Sequence, residues 1–151
     1  MANHTTFKAL GVSIKRHAGD IGANALAAQV RIAKQLAYNL ISRTPADTGK
    51  ARSNWIAKRN TPPSGTRRTF APGHLLGIGE QANLAAAYYS AAAVFDAAGP
   101  EDRLYLKNNL PYINRLNAGH SKQAPIGFVE AEMLKAEAEL KRIRLIGRAR
   151  K

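Results

Sequence analysis

The four histidines are the residues best suited to proton or metal chemistry in this chain, and none has a partner at the required spacing. His4, His17, His74 and His120 are isolated in sequence, whereas a zinc hydrolase places two histidines four residues apart on one helix, with a glutamate between them. Ser121 follows His120, but adjacent residues seldom form a nucleophile–base pair, and no Gly-x-Ser-x-Gly turn surrounds this serine. We therefore expect no catalytic residue and no metal site.

Other patterns that support catalysis or cofactor binding are also missing from the sequence. Gly73, Gly77 and Gly79 lack the spacing of a dinucleotide-binding loop and the Gly-Lys-Ser/Thr of a phosphate-binding loop. Glu101 and Asp102 are adjacent carboxylates, but they precede a predicted strand, and we expect them to form its solvated entry. The chain has no Cys, which excludes disulfides, thiol catalysis and Cys-ligated zinc. These patterns predict a protein that is not an enzyme and has no cofactor.

The strongest chemical signal is positive charge. With 23 Lys and Arg against 10 Asp and Glu, the net charge of +13 favours polyanions or acidic protein surfaces as partners. One acid-free cluster lies in residues 141–151, and a second flanks the Pro-rich turn at 61–65. For the first cluster, a solvated tail and contact with DNA phosphate or an acidic neighbouring subunit are equally good interpretations, whereas for the second we favour contact with a neighbouring subunit. The candidate contact residues are Lys58, Arg59, Arg67, Arg68, Lys141, Arg142, Arg144 and Arg148.

Hydrophobic periodicity predicts three helices. The first spans about 5–42, has an apolar stripe at three- and four-residue steps, and is expected to bend or break near Gly19 and Gly22. Pro45 prevents its continuation. The second helix is predicted over 80–98 and the last over 127 to about 146, with Val129, Met133, Ala136, Leu140 and Ile143 as the buried stripe of the last.

Two short segments are predicted to be extended. Residues 50–60 are centred on Trp55, which we place in the core, and residues 103–108 alternate between apolar and polar side chains. Paired with each other, they give a two- or three-stranded antiparallel sheet under the long first helix. The predicted class is therefore α+β, with a long N-terminal helix packed on a small sheet, a second helix and a C-terminal helix.

We expect one domain over residues 1–151. A long loop at 61–79 is predicted to be mobile and to become ordered only against neighbours, and residues 147–151 are predicted to form a basic tail. No apolar run has the length that a bilayer requires, and the first residues lack a signal pattern. We therefore expect no membrane partner, and synthesis in a cytoplasm.

Residues 109–129, called the second motif below, have the most distinctive pattern in the chain. Pro111 is suited to the first turn of a short helix, Gly119 is suited to the left-handed position that ends it, and a polar loop then leads to the last helix. This stretch resembles a motif of tailed-bacteriophage neck proteins, the tail-completion or head–tail joining family that includes the lambda tail protein Z. The residues that match are Asn109, Pro111, Tyr112, Leu116, Gly119, Ser121, Gln123, Ala124, Pro125, Gly127 and Val129.

Residues 44–55, called the first motif below, support the same resemblance. The stretch Thr-Pro-Ala-Asp-Thr-Gly, followed at a distance by Trp, is similar to an element that follows the first long helix in that family. The matching residues are Thr44, Pro45, Asp47, Thr48, Gly49 and Trp55. The order and separation of the two motifs agree with the family pattern, although this chain has Asn117, Ala118 and His120 where the family often has an acidic residue and an aromatic one.

The resemblance implies a structural virion protein of a tailed phage. Such a protein forms a ring in the neck, six copies by tail symmetry or twelve as the alternative, and completes the tail. Its neighbours are the portal, connector or head-completion ring on one side and the tail terminator or tail tube on the other. Genomic DNA passes through the ring without sequence specificity, and assembly takes place in the bacterial host cytoplasm. Two alternatives are a stand-alone basic nucleic-acid-binding protein and a tail-assembly helper absent from the virion.

Overall fold

The fold combines α-helices with one small sheet, as a computed structural model describes it over residues 10–14, 23–46, 48–71 and 79–149. Side chains are described for residues 25–46, 48–71 and 79–143. In chain order the elements of these ranges are β1 Leu10–Ile14, α1 Ala23–Arg43, α2 Lys50–Ser53, β2 Trp55–Arg59, α3 Glu80–Asp96, β3 Leu104–Asn108, α4 Ile113–Asn117 and α5 Phe128–Ala149. The predicted α+β class, with a long helix near the N-terminus and another at the C-terminus, is confirmed.

The sheet has three antiparallel strands in the order β1-β3-β2. In the central strand, Leu104 and Leu106 are buried while Tyr105 and Lys107 are half-buried, the alternation that a strand with one face on the core requires. Trp55 of β2 lies opposite Asn108 of β3, so the predicted pairing of these two segments is confirmed.

Helices α1, α3 and α5 form the core together with the inner face of the sheet. One face of α1 buries Leu36, Leu40 and Ile41, which contribute to a core cluster shared with Phe95 of α3 and Phe128 of α5. Alanines that are almost fully buried line α3 at Ala87 and Ala91, and such small side chains allow the helix backbones to lie close together. The core is therefore aliphatic and aromatic on α1 and α5 and mostly alanine on α3.

The predicted start of the first helix is wrong. Residues 10–14 form β1, which pairs with β3, whereas helix α1 begins at Ala23. The sequence Leu-Gly-Val-Ser-Ile contains a glycine and two β-branched residues, all poor helix formers, and the central strand β3 offers it a full ladder of backbone hydrogen bonds. The predicted bend at Gly19 and Gly22 lies outside the described residues.

The predicted extended segment at 50–60 is correct only in its second half. Lys50–Ser53 forms the short helix α2, which begins after Gly49 in a left-handed conformation at φ 77°. Strand β2 then begins at Trp55. The four residues of α2 are too few for hydrophobic periodicity to reveal, so the sequence pattern showed only the strand.

The backbone of residues 61–71 is hydrogen-bonded to two asparagine side chains of the same chain. The side chain of Asn54 accepts from the backbone N–H of Arg67 at 2.8 Å and donates to its carbonyl at 3.1 Å. Asn83 makes the same pair of bonds with Ala71, at 2.8 and 2.7 Å. This part of the predicted loop therefore has partners without a neighbouring subunit, whereas residues 72–78 lie outside the described part of the chain.

Helix α5 extends further than predicted. It reaches Ala149, so the first three residues of the predicted basic tail are helical, and residues 150 and 151 lie outside the described part. None of the described helices is both long enough and apolar enough to cross a membrane.

Candidate functional site

The two sequence motifs meet at one corner of the fold, where α1 ends and α5 begins. The direct link is a hydrogen bond in which the backbone N–H of Ala46 donates to the side-chain oxygen of Gln123 at 2.7 Å. These residues are 77 positions apart in the chain, so sequence spacing could not show that they touch. We take this corner as the candidate functional site.

Thr44 is the centre of the first motif. Its hydroxyl accepts a hydrogen bond from the indole N–H of Trp55 at 2.8 Å and donates to the carbonyl of Leu40 at 2.6 Å. Thr44 and Trp55 are 0% and 1% exposed. The hydroxyl gives the Leu40 carbonyl a second donor beside the backbone N–H of Thr44, which bonds it at 3.0 Å, and it fixes the tryptophan, which lies in the core as predicted.

Arg52 is a buried charge that sequence reasoning missed. Its guanidinium, on a residue only 6% exposed, donates to the carbonyl of Thr44 at 2.7 Å and to that of Ser42 at 3.0 Å. It also pairs with Glu80 at the start of α3 at 3.0 Å. A cation is favourable at a helix C-terminus, where unpaired carbonyls concentrate negative charge. Arg52 thus joins the end of α1 to the start of α3.

Gly49 is required by the space around it as well as by its backbone angle. A side chain at this position would collide with the amide of Asn83, which is fully buried and bonded to Ser53 at 3.0 Å and to the backbone of Ala71. Asn83 thereby ties α3, α2 and the 61–71 segment together. Its role was not apparent from sequence, because an asparagine inside a predicted helix is usually exposed.

The second motif begins with the predicted turn and glycine exit. Helix α4 ends at Asn117, and Gly119 adopts φ 91°, the predicted left-handed conformation. The N–H of Gly119 donates to the carbonyl of Leu116 at 3.2 Å, and that of His120 donates to the carbonyl of Arg115 at 3.1 Å. These bonds satisfy carbonyls that the helix end would leave unpaired.

Asn117 bonds to both the last residue of the loop and the first turn of α5. Its backbone carbonyl accepts from the N–H of Gly127 at 2.7 Å, and its side-chain oxygen accepts from the N–H of Val129 at 3.0 Å. Its side-chain amide donates to the carboxylate of Glu130 at 2.8 Å. The buried asparagine therefore caps α5 from the other end of the loop, 12 positions before Val129, and holds the two ends of this loop together.

The remaining motif residues also have structural positions. Asn109 donates to the carbonyls of Pro63 at 3.2 Å and Gly65 at 2.9 Å, and Ala124 is buried. Thr48 and Ser121 have hydroxyls that accept from backbone N–H groups two residues ahead, at 3.4 and 3.2 Å.

The other motif residues differ in burial. Leu116 packs against the core, and Pro45 is buried. Three lie on the surface, namely Pro111, Tyr112 and Pro125, and Asp47 is outside the described residues.

The structure does not pair Ser121 with His120 in this corner. The Ser121 hydroxyl accepts from Gln123 and makes no hydrogen bond with His120, which is exposed. His4, His17 and His74 lie outside the described residues. Within the residues that the structure describes, no group of three or more His, Asp or Glu is placed to hold a metal ion.

A buried carboxylate lies between α1 and α5. Glu132 has a side chain 1% exposed and accepts from Arg43 at 2.9 Å, Lys135 at 2.8 Å and Asn39 at 2.8 Å. Burial favours the neutral acid, but these donors hold the pKa of Glu132 below its ordinary value. A cavity of about 80 Å³ beside it, also lined by Leu36 and Ala136, is well below the roughly 300 Å³ at which ligand pockets begin. Glu132 thus links α1 to α5.

The predicted basic cluster at 58–68 does not form one free patch. Arg59 pairs with Asp102 at 3.0 Å, and Arg67 donates to Ser90 at 3.1 Å and lies 5.1 Å from the ring centre of Phe70. Partial burial lowers the pKa of Arg67. Among the described residues of this cluster, Lys58 and Arg68 are exposed and have no ion pair.

The basic residues of α5 lie on its last turns. Lys141 and Arg142 are exposed, and Arg142 pairs with Glu139 at 3.1 Å. Arg144 and Arg148 belong to the helix, but their side chains lie outside the described part.

Asp102, predicted to be a solvated strand entry, is instead a hydrogen-bonded corner. Its carboxylate accepts from the backbone N–H of Gly99 at 2.9 Å, from Asn60 at 2.8 Å and from Arg59 at 3.0 Å. These donors stabilise the charged form and lower the pKa of Asp102 to about 2.

No protein-family model matches this chain, and no curated protein or solved structure is significantly similar to it.

Proposed function

We propose that this protein is a structural subunit of a tailed-phage neck, which completes the tail and joins it to the head connector. The resemblance of the two sequence motifs is the basis of the proposal. The observation that carries it further is the hydrogen bond between Ala46 and Gln123, which joins the motifs at one corner. Residues that a family shares for structural reasons are expected to contact one another in this way.

The hydrogen bonds at the corner favour a structural role over a chemical one. Thr44, Asn117, Gly119 and Gln123 use their polar groups to satisfy helix ends and backbone groups. The side chains of Thr44 and Asn117 are buried and bonded at each of their polar atoms, which leaves them unavailable to a substrate. The proposed task of the motifs is therefore to fix the angle at which α5 leaves the fold.

The shape of the molecule suits assembly into a ring. Within the described residues, β1 and β2 are edge strands of the sheet, so two different edges lack a strand partner. Large apolar side chains are also exposed at Tyr89, Ile126 and Leu134. Closed rings use head-to-tail contacts between two different patches. We propose six copies, with twelve as the alternative, between the connector or head-completion ring and the tail terminator or tube.

Electron microscopy of particles assembled with and without the protein tests this proposal. We expect particles lacking it to accumulate as separate filled heads and tails, and complete particles to show a ring of density at the neck. Purified protein added to the separated parts should restore joining. Complete particles in its absence, or one or two scattered copies per particle, would contradict the proposal.

A further inference from the structure

The outer face of the sheet carries positive charge and no acidic side chain in the described structure. Leu104 and Leu106 point into the core, and successive side chains of a strand alternate between faces. The opposite face, called the open sheet face below, is formed by Ile56, Lys58, Tyr105 and Lys107 of the strands and by Arg103 just before β3. Lys58 and Arg103 are exposed, and the other three are half-buried.

Strand register places these side chains in a compact pattern. Lys58 lies directly opposite Tyr105, and Ile56 lies directly opposite Lys107. Directly opposite side chains are separated by about 5 Å and diagonal ones by roughly 7–8 Å between their Cβ atoms. The two lysines are therefore diagonal neighbours, with the tyrosine ring beside both, and Arg103 continues the row from the start of β3.

The charge of this face is not neutralised within the described structure. Lys58, Arg103 and Lys107 take part in none of the ion pairs found among the described side chains. The acid nearest to Arg103 in sequence, Asp102, accepts from Arg59, Asn60 and the N–H of Gly99 instead. Strand β1, which completes the sheet beside β3, has the sequence Leu-Gly-Val-Ser-Ile without an acid.

We propose that the open sheet face binds the phosphate backbone of duplex DNA without sequence preference. Lysine, arginine and the tyrosine hydroxyl are all donors that bind phosphate oxygens. Three strands of five residues give a face of roughly 15 by 17 Å, about 250 Å². This area is well below the roughly 800 Å² on each side of a stable protein interface, whereas non-specific DNA binding depends on individual phosphate contacts. The proposal therefore assigns Lys58 to DNA and not to the neighbouring subunit that the sequence favoured. The same cations on a second copy would repel this face, so we do not expect two copies to pair through it.

The expected binding is weak and steeply dependent on salt. Three cations that neutralise three phosphates give a slope of about −2.7 in a plot of log affinity against log salt concentration. Such contacts hold DNA reversibly and allow it to slide. This inference goes beyond the proposed function, since a purified subunit can pass or fail the following tests whatever its place in a particle.

The first test compares two variants with equal charge. The double variant Lys58→Gln, Lys107→Gln removes two charges from the open sheet face, whereas Arg31→Gln, Lys122→Gln removes two exposed charges elsewhere. Binding to a labelled 30-base-pair duplex is measured by fluorescence anisotropy between about 50 and 200 mM salt. We expect the first variant to lose about tenfold or more in affinity and its salt slope to become shallower by about 1.8. Equal losses in both variants would overturn the proposal, because they would reflect net charge alone.

The second test maps the bound surface on the wild-type protein. Lysines are acylated with and without the duplex, and the modified peptides are quantified by mass spectrometry. DNA should protect Lys58 and Lys107 and leave Lys122 unprotected. Protection confined to Lys141 and Lys151 would overturn the proposal and assign binding to the C-terminal end. Protection of Lys58 and Lys107 by poly-L-glutamate but not by DNA would also overturn it and indicate an acidic protein partner.

Discussion

Thr44 shows how much of this fold depends on single buried polar atoms. Its hydroxyl both accepts from Trp55 and donates to the last turn of α1. Valine has a similar shape but no hydroxyl, so Thr44→Val leaves the buried indole N–H without an acceptor. We expect a loss of about 1–3 kcal/mol in the free energy of unfolding, measured by urea denaturation. The exposed Thr48→Val is the matched control, with an expected change of about 0.5 kcal/mol or less. Equal effects at the two threonines would show that the Trp55 bond does not stabilise the fold.

Asp102 gives the protein a specific acid sensitivity. Its pKa of about 2 lies below the ordinary value of 3.8 because Gly99, Asn60 and Arg59 donate to the charged form. A carboxyl with a lowered folded-state pKa stabilises the fold fully above the ordinary value, and this contribution is lost as the pH falls through the folded value. Asp102→Asn should therefore be less stable than wild type at pH 5, and the difference should shrink between pH 4 and pH 2.

Urea midpoints across this pH range measure that difference. Glu101→Gln, which removes the adjacent exposed charge, is the matched control and should follow the wild-type curve more closely at pH 5. A constant difference between Asp102→Asn and wild type from pH 5 to pH 2 would show that the carboxylate is not the group responsible.

At the scale of elements, sequence periodicity predicted the long helices and the regularly alternating strand. Helices α3 and α5 were predicted within a few residues of their ends, and the alternation in β3 marked both its strand and its buried face. Strand β1 was missed for two reasons. No proline or turn pattern separates its five residues from the sequence on either side, and its partner strand lies about 95 residues away. A short strand that depends on distant pairing has no local signal strong enough to outweigh a helical pattern.

The candidate site could be predicted in its residues but not in its contacts. Gly119 was identified from its place after a short helix, and its left-handed backbone is confirmed. The bond from Ala46 to Gln123 joins residues 77 positions apart, and the cap that Asn117 provides to α5 spans a loop of 12 positions, longer than a local helix-cap pattern. Arg52 and Asn83 were missed because each is polar and buried, a combination that composition does not predict.

The loop between α4 and α5 should be sensitive at Gly119 and tolerant at Ser121. Gly119→Val forces a β-branched residue into φ 91° and brings its side chain against Ile126. Left-handed backbone alone costs such a residue about 1–2 kcal/mol, so we expect lower thermal stability and reduced incorporation into particles. Ser121→Ala removes one exposed hydrogen bond to Gln123 and should be nearly neutral. Normal incorporation but lost infectivity in Ser121→Ala would instead indicate a chemical role for the hydroxyl.

At the scale of the whole molecule, positive charge is divided among three uses. Arg52 and Arg43 neutralise carboxylates at the ends and sides of helices. Lys58 and Lys107 lie on the open sheet face. The end of α5 adds a further acid-free series beyond Glu139. Lys58, Lys107 and Lys141 have no ion pair in the described part of the chain, so their charge is available to act on other molecules.

The end of α5 is the surface for which we predict contact with an acidic neighbouring ring. A neck protein that held DNA through every cation would resist its passage, since each neutralised phosphate adds to affinity. The triple variant Arg142→Glu, Arg144→Glu, Arg148→Glu turns the proposed attraction into repulsion. We expect an unchanged circular dichroism spectrum and a fall of at least about tenfold in head–tail joining, measured by counting complete particles after mixing separated parts.

A second triple variant separates position from net charge. Lys50→Glu, Arg115→Glu, Lys122→Glu reverses three exposed cations that belong to neither proposed contact surface, and it should join heads to tails at nearly the wild-type level. If both triple variants reduce head–tail joining equally, net charge governs joining and the end of α5 is not a specific contact. If the α5 triple joins normally, the acidic neighbour lies elsewhere. Only selective failure of the α5 triple supports the contact, because the two variants carry the same charge and differ only in where it was changed.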